Sequence, residues 1–551
     1  SIVKDKLKKC ASLFLVLVLF LTLAGCSAPA QEAQEPNASE TQTQQDSEGE
    51  PAENAERPTI SVAVLDFGNF PSDRGTLEDN DLTEWINANS PVAIDFVAIT
   101  RDEAVTKYST MLAAGTAPDV IMEWNITCFE QFIANGTLQP LDEAFEAYGQ
   151  NLKAAIPEDV LQWGYYNGKL YGIPKIRSET NVVNWMSWIR QDWLDNLGLS
   201  MPTTMEEFYE VVRAFTFDDP DGNGIDDTWG FGAGSGVSSG QNEDFGGCER
   251  ISNLFGAQRF LWIPGEDGLL DYVDITKNRL EAVRYLERFY DEGLCNPEFF
   301  TQTAQQSQTD WINGKVGTIG AQAGTVDATV LEAMLEVNPE ANPVPLKTLS
   351  SPLGQYGYYK EQPFDLMIMV PTTCENPEAV IQYLDWMISG AWEYINYGVE
   401  GTHYIKQDGA IISICDSETT EHDLSHAAMY TLATPYNRRI SDVETELIVN
   451  EDTYSDVEKR AVELNIAAMK ESLTQPFTFY TPTTALGLED VSTTLPSLTA
   501  FSEETWERCI IDSTLSADDA YQMIVDEWNV LGYPEIREEF NARAKELGYI
   551  D

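Results

Sequence analysis

The sequence predicts an α/β protein whose body forms two lobes around one cleft, and three observations predict it. The body opens with strand, helix, strand, helix and strand in succession, an order that builds a mainly parallel sheet covered by helices. Residues 58–551 make a stretch too long for one compact core, so the chain divides. Hydrophobic residues make up 43% of the chain, enough for a substantial interior despite a formal net charge of -57. So acidic a surface repels phosphate, which argues against nucleic acid and anionic membrane surfaces as partners.

The first 26 residues read as a secretion signal. "SIVKDKLKKC" carries Lys4, Lys6, Lys8 and Lys9 ahead of the apolar run "ASLFLVLVLFLTLAG". Leu23-Ala24-Gly25-Cys26 then matches the bacterial lipobox, whose cysteine becomes the lipidated first residue of the mature protein. The alternative is a plain secretion signal with an incidental cysteine. Residues 27–57 contain no aromatic residue and no Ile, Leu, Val or Met, so they have nothing to bury and are expected to form a disordered acidic tether. Together these segments place the body on the extracellular face of a bacterial membrane, anchored by lipid at Cys26.

Within the body, "TISVAVLDF" alternates into a first strand ending near Asp66. Leu82, Trp85 and Ile86 mark a helix, and "VAIDFVAI" is a second strand. Val105, Tyr108, Met111 and Leu112 recur at helical spacing, with Gly115 as the stop, and "PDVIMEW" gives a third strand. Ligand clefts in open α/β sheets lie beyond the carboxyl ends of the strands. That rule singles out two loops, Phe67-Gly68-Asn69 and Glu123-Trp124-Asn125.

Further on, "PTTMEEFYEVVRAF" is a helix in which Thr203 or Thr204 caps and Glu206 or Glu207 answers, with Phe208, Val211, Val212 and Phe215 on one apolar face. "RLEAVRYLERFYDEGL", "NPEAVIQYLDWMISG" and the C-terminal "SADDAYQMIVDEWNVLGYPEIREEFNARAKEL" are helical, while "KVGTIGAQAG" and "FDLMIMVP" are strands. The expected lobes take residues 58–170 with 361–415, and residues 171–360 with 416–551.

Directly after the capped helix comes "FDDPDGNGIDDTWGFG". Asp219, Asp221 and Asn223 recur at every second residue, Asp227 follows, and Gly224 fills the sixth slot, the oxygen-rich spacing a hard cation needs. A complete calcium hand has a bidentate Glu in the twelfth position and a second helix, but here that position is Gly230 and "WGFGAGSGVSSG" is no helix. The loop is therefore half a hand, or an Asn-Gly-rich turn without metal.

Catalytic signatures are poor. His422 and His426 stand four apart, without an H-E-x-x-H context or a third ligand, and read as exposed polar helix residues. No G-x-S-x-G occurs, and the glycines near residue 232 miss the spacing of a phosphate cradle. Cys128, Cys248, Cys295, Cys374, Cys415 and Cys509 lack any C-x-x-C pair, so disulfides and buried thiols both stay open. Aromatics are plentiful, with 13 Trp, 23 Tyr and 23 Phe. Several cluster with polar neighbours, as sugar recognition requires: rings stack on C–H faces while polar groups take the hydroxyls. Trp124, Trp185, Trp188 and Trp262 are the candidate platforms, whereas Trp386 and Trp528 fit helix faces.

"STMLAAGTAPDVI", "GKLYGIP", "WIRQDWLDNLGLSMPTTMEEFYEVVRAFTFDDPDGNGIDDTWGF", "NYGVEGTHY" and "VPTTCENPEAVIQYLDWM" run in one order over most of the body. In these stretches the chain resembles the family 1 extracellular solute-binding lipoproteins of carbohydrate ABC importers, notably those with oligosaccharide ligands. The resemblance implies a type II periplasmic-binding-protein fold, two α/β lobes closing on ligand from either side. It also implies a structural calcium ion on Asp219, Asp221, Asn223, the Ile225 carbonyl and Asp227, with Thr228 where some members carry a further acidic ligand.

The expected function is a lipid-anchored, nonenzymatic receptor that captures a sugar or oligosaccharide and hands it to the membrane permease. Asn125, Arg177 and Arg190 are the expected polar partners of the four Trp platforms. A secreted polysaccharide-degrading enzyme and a glycan adhesin are the alternatives; glycan turnover separates the first, and one-to-one binding of a soluble short glycan the second.

Overall fold

The computed structural model describes residues 57–550 apart from 183–184, 235–247, 260, 358–361, 425, 475–485 and 547. The secretion signal, Cys26 and the tether up to residue 56 lie outside the described residues.

The predicted opening order is present. Strand β1 (Thr59–Asp66), helix α1 (Asp81–Asn89), strand β2 (Ala93–Thr100), helix α2 (Ala104–Ala114) and strand β3 (Ile121–Glu123) follow in turn. Asn80 begins α1 by accepting from the amides of Leu82 and Thr83, while the Thr83 hydroxyl takes the Asn80 amide. Gly115 ends α2 in the left-handed conformation (φ 69°), which costs least without a Cβ. β1 and β2 pair in parallel over their whole length, and Val62 bridges to Val120 in parallel beside β3.

The rest of the sheet departs from the expected parallel order. β4 (Gly172–Ile176) and the late strand β8 (Phe364–Met369) join it, with β8 antiparallel between β3 and β4. A second sheet forms from β5 (Trp185–Arg190), β6 (Thr318–Gln322) and β7 (Pro343–Pro345), where β5 is central and both neighbours are antiparallel.

Three hydrophobic cores follow this division. The first gathers residues between Ile60 and Ile173 with residues between Phe364 and Ala433. The second joins Ile189 through Leu349 to the C-terminal segment from Leu486 to Ala544, and the third packs Met186 and Trp188 against Ile440, Val443 and Met469. The chain crosses between the first core and the other two at three places: between Ile173 and Met186, between Leu349 and Phe364, and between Ala433 and Ile440. Ala427, Tyr430, Leu432 and Ala433, expected beyond the first lobe's end at 415, pack in the first core. The Tyr430 hydroxyl ties this stretch there, donating to the Leu77 carbonyl and accepting from Asn80.

Helix α4 (Met205–Phe217), after α3 (Ile126–Ala134), uses both capping residues named above: Thr204 accepts from the Glu207 amide, and the Glu207 carboxylate accepts from the Thr203 amide and hydroxyl. The long C-terminal helical segment is two helices, Ala517–Val530 and Tyr533–Glu546, broken at Gly532 (φ 93°). All six described cysteines are free and buried, which resolves the thiol question for these residues.

Candidate ligand site and calcium-type loop

The two loops singled out at the strand ends meet in space. Phe67 follows β1 and Trp124 follows β3, and their rings lie 6.3 Å apart at 77°, edge against face. Trp124 is fixed on two further sides. The Arg101 guanidinium sits 4.6 Å from its ring centroid, and its indole N–H donates to Asp365 Oδ1 at 3.1 Å. Arg101, one residue past β2, is held in turn by Glu123, each nitrogen of its fork 3.4 Å from a carboxylate oxygen. A Glu123 oxygen also accepts from the Trp124 and Asn125 amides, so the turn and its cation share one carboxylate.

Asp365 is the second anchor. Lys175 Nζ stands 3.4 Å from Oδ2 and Arg177 Nη2 3.9 Å from Oδ1. Burial pushes the Asp365 carboxyl up, but the charges of Lys175 and Arg177 and the indole N–H outweigh it and hold the group below its ordinary value. Arg177 also donates through Nε to the Phe364 carbonyl at 2.9 Å. Asn125 is spent locally: its side chain accepts from the Thr127 amide and starts α3.

The second lobe's candidates fall differently. Trp185 begins β5 opposite Gln322, and its side chain lies outside the described residues. Trp188, Arg190 and Trp262 require correction, because none presents a free surface. Trp188 is 0% exposed in the third core, with its indole N–H toward the Gln322 carbonyl at 3.4 Å. Trp262 is 0% exposed, with Phe540 stacked at 3.7 Å and Tyr533 at 6.0 Å, so no face remains for a sugar. Arg190 is buried and forks onto Asp192 at 2.9 and 2.5 Å while its guanidinium covers Trp193. Asp192 also accepts from the Asn342 amide, so the pair is spent in a structural contact.

The histidine pair also divides. His422 is exposed between Asp73 and Asp423, and hydrogen bonds to Asp423 and Asp73 raise its pKa. His426, expected to be exposed, is buried against Phe70 with Arg74 Nη1 3.2 Å from its Nε2. Burial first, then the Arg74 charge, pushes its pKa down to about 4.

In the acidic loop, Asp219 (φ 50°), Gly222 (φ 67°) and Gly224 (φ 76°) turn the backbone back on itself. Asp219 accepts from the amides of Asn223 and Gly224, and the Asn223 side-chain amide bridges Asp221 (2.8 Å) and Asp227 (3.3 Å). Asp227 is ion-paired with Lys315. Among the described residues, no group of three or more His, Cys, Asp or Glu side chains is arranged to hold a metal ion. The donor chemistry nonetheless fits a hard cation: the loop offers oxygens, and burial plus the neighbouring Asp227 and Asp219 charges raise the Asp221 pKa, crowding that a cation relieves.

The half-hand has a structural reason. The Thr228 hydroxyl donates to the Phe215 carbonyl, and Gly230 passes so close to α4 that a Cβ would lie 1.9 Å from the Val212 carbonyl oxygen. The chain then runs beside Val316, Cys295 and Ile319 in bridges from Trp229, Phe231 and Gly232. No second helix fits there.

The model of the bacterial extracellular solute-binding protein family matches residues 80–393. The chain belongs to this family. Lipoprotein LipO of Bacillus subtilis (strain 168) is 28% identical over 368 residues, 65% of this chain and 71% of that protein. Among solved structures, alginate-binding protein AlgQ2 without calcium ion superposes with a TM-score of 0.68 at 16% identity, covering 89% of this chain and 99% of that one. An EF-hand mutant of the S. pneumoniae ABC-transporter substrate-binding protein FusA, in complex with fructo-nystose, gives 0.65 at 17% identity with the same coverage. The fold is thus the two-lobed one of periplasmic solute-binding proteins, and the relatives are binding proteins rather than enzymes. No described helix is long and apolar enough to cross a membrane.

Proposed function

We propose that this protein is the lipid-anchored, nonenzymatic receptor of an ABC importer, which captures an oligosaccharide between its lobes and delivers it to the permease. The observation that carries the reading is Trp124, an aromatic platform held at the carboxyl edge of the first sheet by Arg101 and Asp365. Its partly buried ring is oriented before ligand arrives, which reduces the ordering cost of binding. The charged groups around it, Lys175, Arg177 and Glu123, are paired with Asp365 and Arg101 and so hold the platform's two anchors in place. Asn125 sits beside it as the cap of α3, and Trp185 opens β5 at the crossing to the second lobe. Solute capture by the family, the alginate-binding protein and the FusA complex with fructo-nystose support the carbohydrate class.

In the same reading, the loop takes calcium as a structural ion through Asp219, Asp221, Asn223, the Ile225 carbonyl and Asp227. The EF-hand that was mutated in the structural relative FusA supports this, as does the crowding at Asp221. Lobe one comprises residues 58–176 with 364–433, and lobe two the remainder of the body. Anchoring through Cys26 is supported by the lipobox and by a relative named as a lipoprotein.

Titration of the wild type and Trp124→Ala against soluble oligosaccharides tests the reading. One-to-one binding, weakened in the variant by about 1–3 kcal/mol, is the expected result. Equal binding by both proteins refutes the placement of the site.

A further inference from the structure

We infer that Phe67 is the second wall of the ligand site, and that it forms with Trp124 a corner enclosing a single sugar ring. This rests on the receptor reading and adds a binding residue to it. Phe67 is 50% exposed, and a lone exposed ring needs no explanation. This one is not alone: it stands nearly perpendicular to Trp124, edge to face, at the neighbouring strand end.

Its backbone is built for the position. The Gly68 amide donates to Asp66 Oδ1 at 2.7 Å, and Gly68 takes φ 73° with nothing within 4 Å of where a Cβ would stand. That turn lifts Phe67 off the end of β1. Trp124, by contrast, is immobilised by Arg101 over its ring and by Asp365 at its N–H. Arg101 stands over the indole ring, and the half-exposed Phe67 stands nearly at right angles to it. One rigid ring and one exposed ring at 77° match two adjoining C–H surfaces of one pyranose or furanose unit. Two parallel platforms would instead sandwich it.

The test titrates the full-length protein with 1-kestose, laminaritriose and trigalacturonate by calorimetry, using the wild type, Phe67→Ala, Phe67→Trp, Trp124→Ala and the double Ala variant. For a sugar the wild type binds, Phe67→Ala is expected to bind about three- to tenfold more weakly. Phe67→Trp should restore affinity, and the double variant should lose less than the product of the single losses because one ring contacts both walls. Wild-type affinity in Phe67→Ala, with Trp124→Ala impaired, overturns the inference and leaves the receptor reading standing. Failure of the wild type to bind any of the three sugars removes both.

Discussion

Replacing Asp365 by Asn removes one charge beside the Trp124 indole N–H while keeping an oxygen to accept from it. Lys175 and Arg177 are each only 9% exposed at the side chain and share this carboxylate, itself 23% exposed. Breaking a buried ion pair from one side costs about 3–5 kcal/mol. Residual solvent around Asp365 reduces that, so the expected loss at pH 7 is roughly 2–4 kcal/mol. The pH dependence follows from the direction of the shift. A carboxyl held below its ordinary 3.8 stabilises the fold above that value and stops doing so as pH falls through the lower folded-state value. Urea unfolding of the wild type and Asp365→Asn should therefore show the gap at pH 7 and its shrinkage below about pH 4. A neutral-pH loss under about 0.5 kcal/mol, or a gap independent of pH, refutes the coupling of Asp365 to these cations.

Calcium at a hundredfold excess over its dissociation constant should add about 2.7 kcal/mol, raising the melting temperature by a few degrees, and a chelator should reverse this. The raised Asp221 pKa means that its ionisation, above the ordinary 3.8, weighs against the metal-free fold. Metal-free Asp221→Asn should therefore melt above the wild type at pH 7, and calcium should invert the order; an unchanged order in calcium contradicts the metal site. His426 titrates near 6.5 when unfolded and near 4 when folded, so protons favour the unfolded chain between these values. Stability should fall as pH drops through that window, and His426→Gln should flatten the slope; an identical slope contradicts a buried neutral imidazole. Cys26→Ala should release the protein from membranes with its body folded, and unchanged membrane retention in fractionation contradicts the anchor.

The opening strands and helices were legible because local patterns determine them, period two in β1 and helical spacing in α2, and the capping residues before α4 mark its start in the same way. The strand-end rule singled out the Trp124 and Phe67 loops, and the structure brings their rings together. The partners of Trp124 were hidden because β8 arrives from far downstream and inserts antiparallel between β3 and β4, bringing Asp365 to a strand end no local pattern connects with it. A lone acid in "FDLMIMVP" was the available signal. Trp188 and Trp262 misled because an aromatic beside polar residues looks the same whether exposed or buried. Trp188 lies on the central strand of its sheet, and the stacking partners of Trp262 come from the C-terminal segment, so only tertiary contacts reveal the burial.

The central claim is tested most directly by incubating the full-length protein with an oligosaccharide it binds and recording both native mass and glycan products. The receptor reading predicts a one-to-one complex carrying the intact glycan, with no cleavage products at any time. Accumulating shorter sugars, or failure of any soluble oligosaccharide to bind, would contradict it.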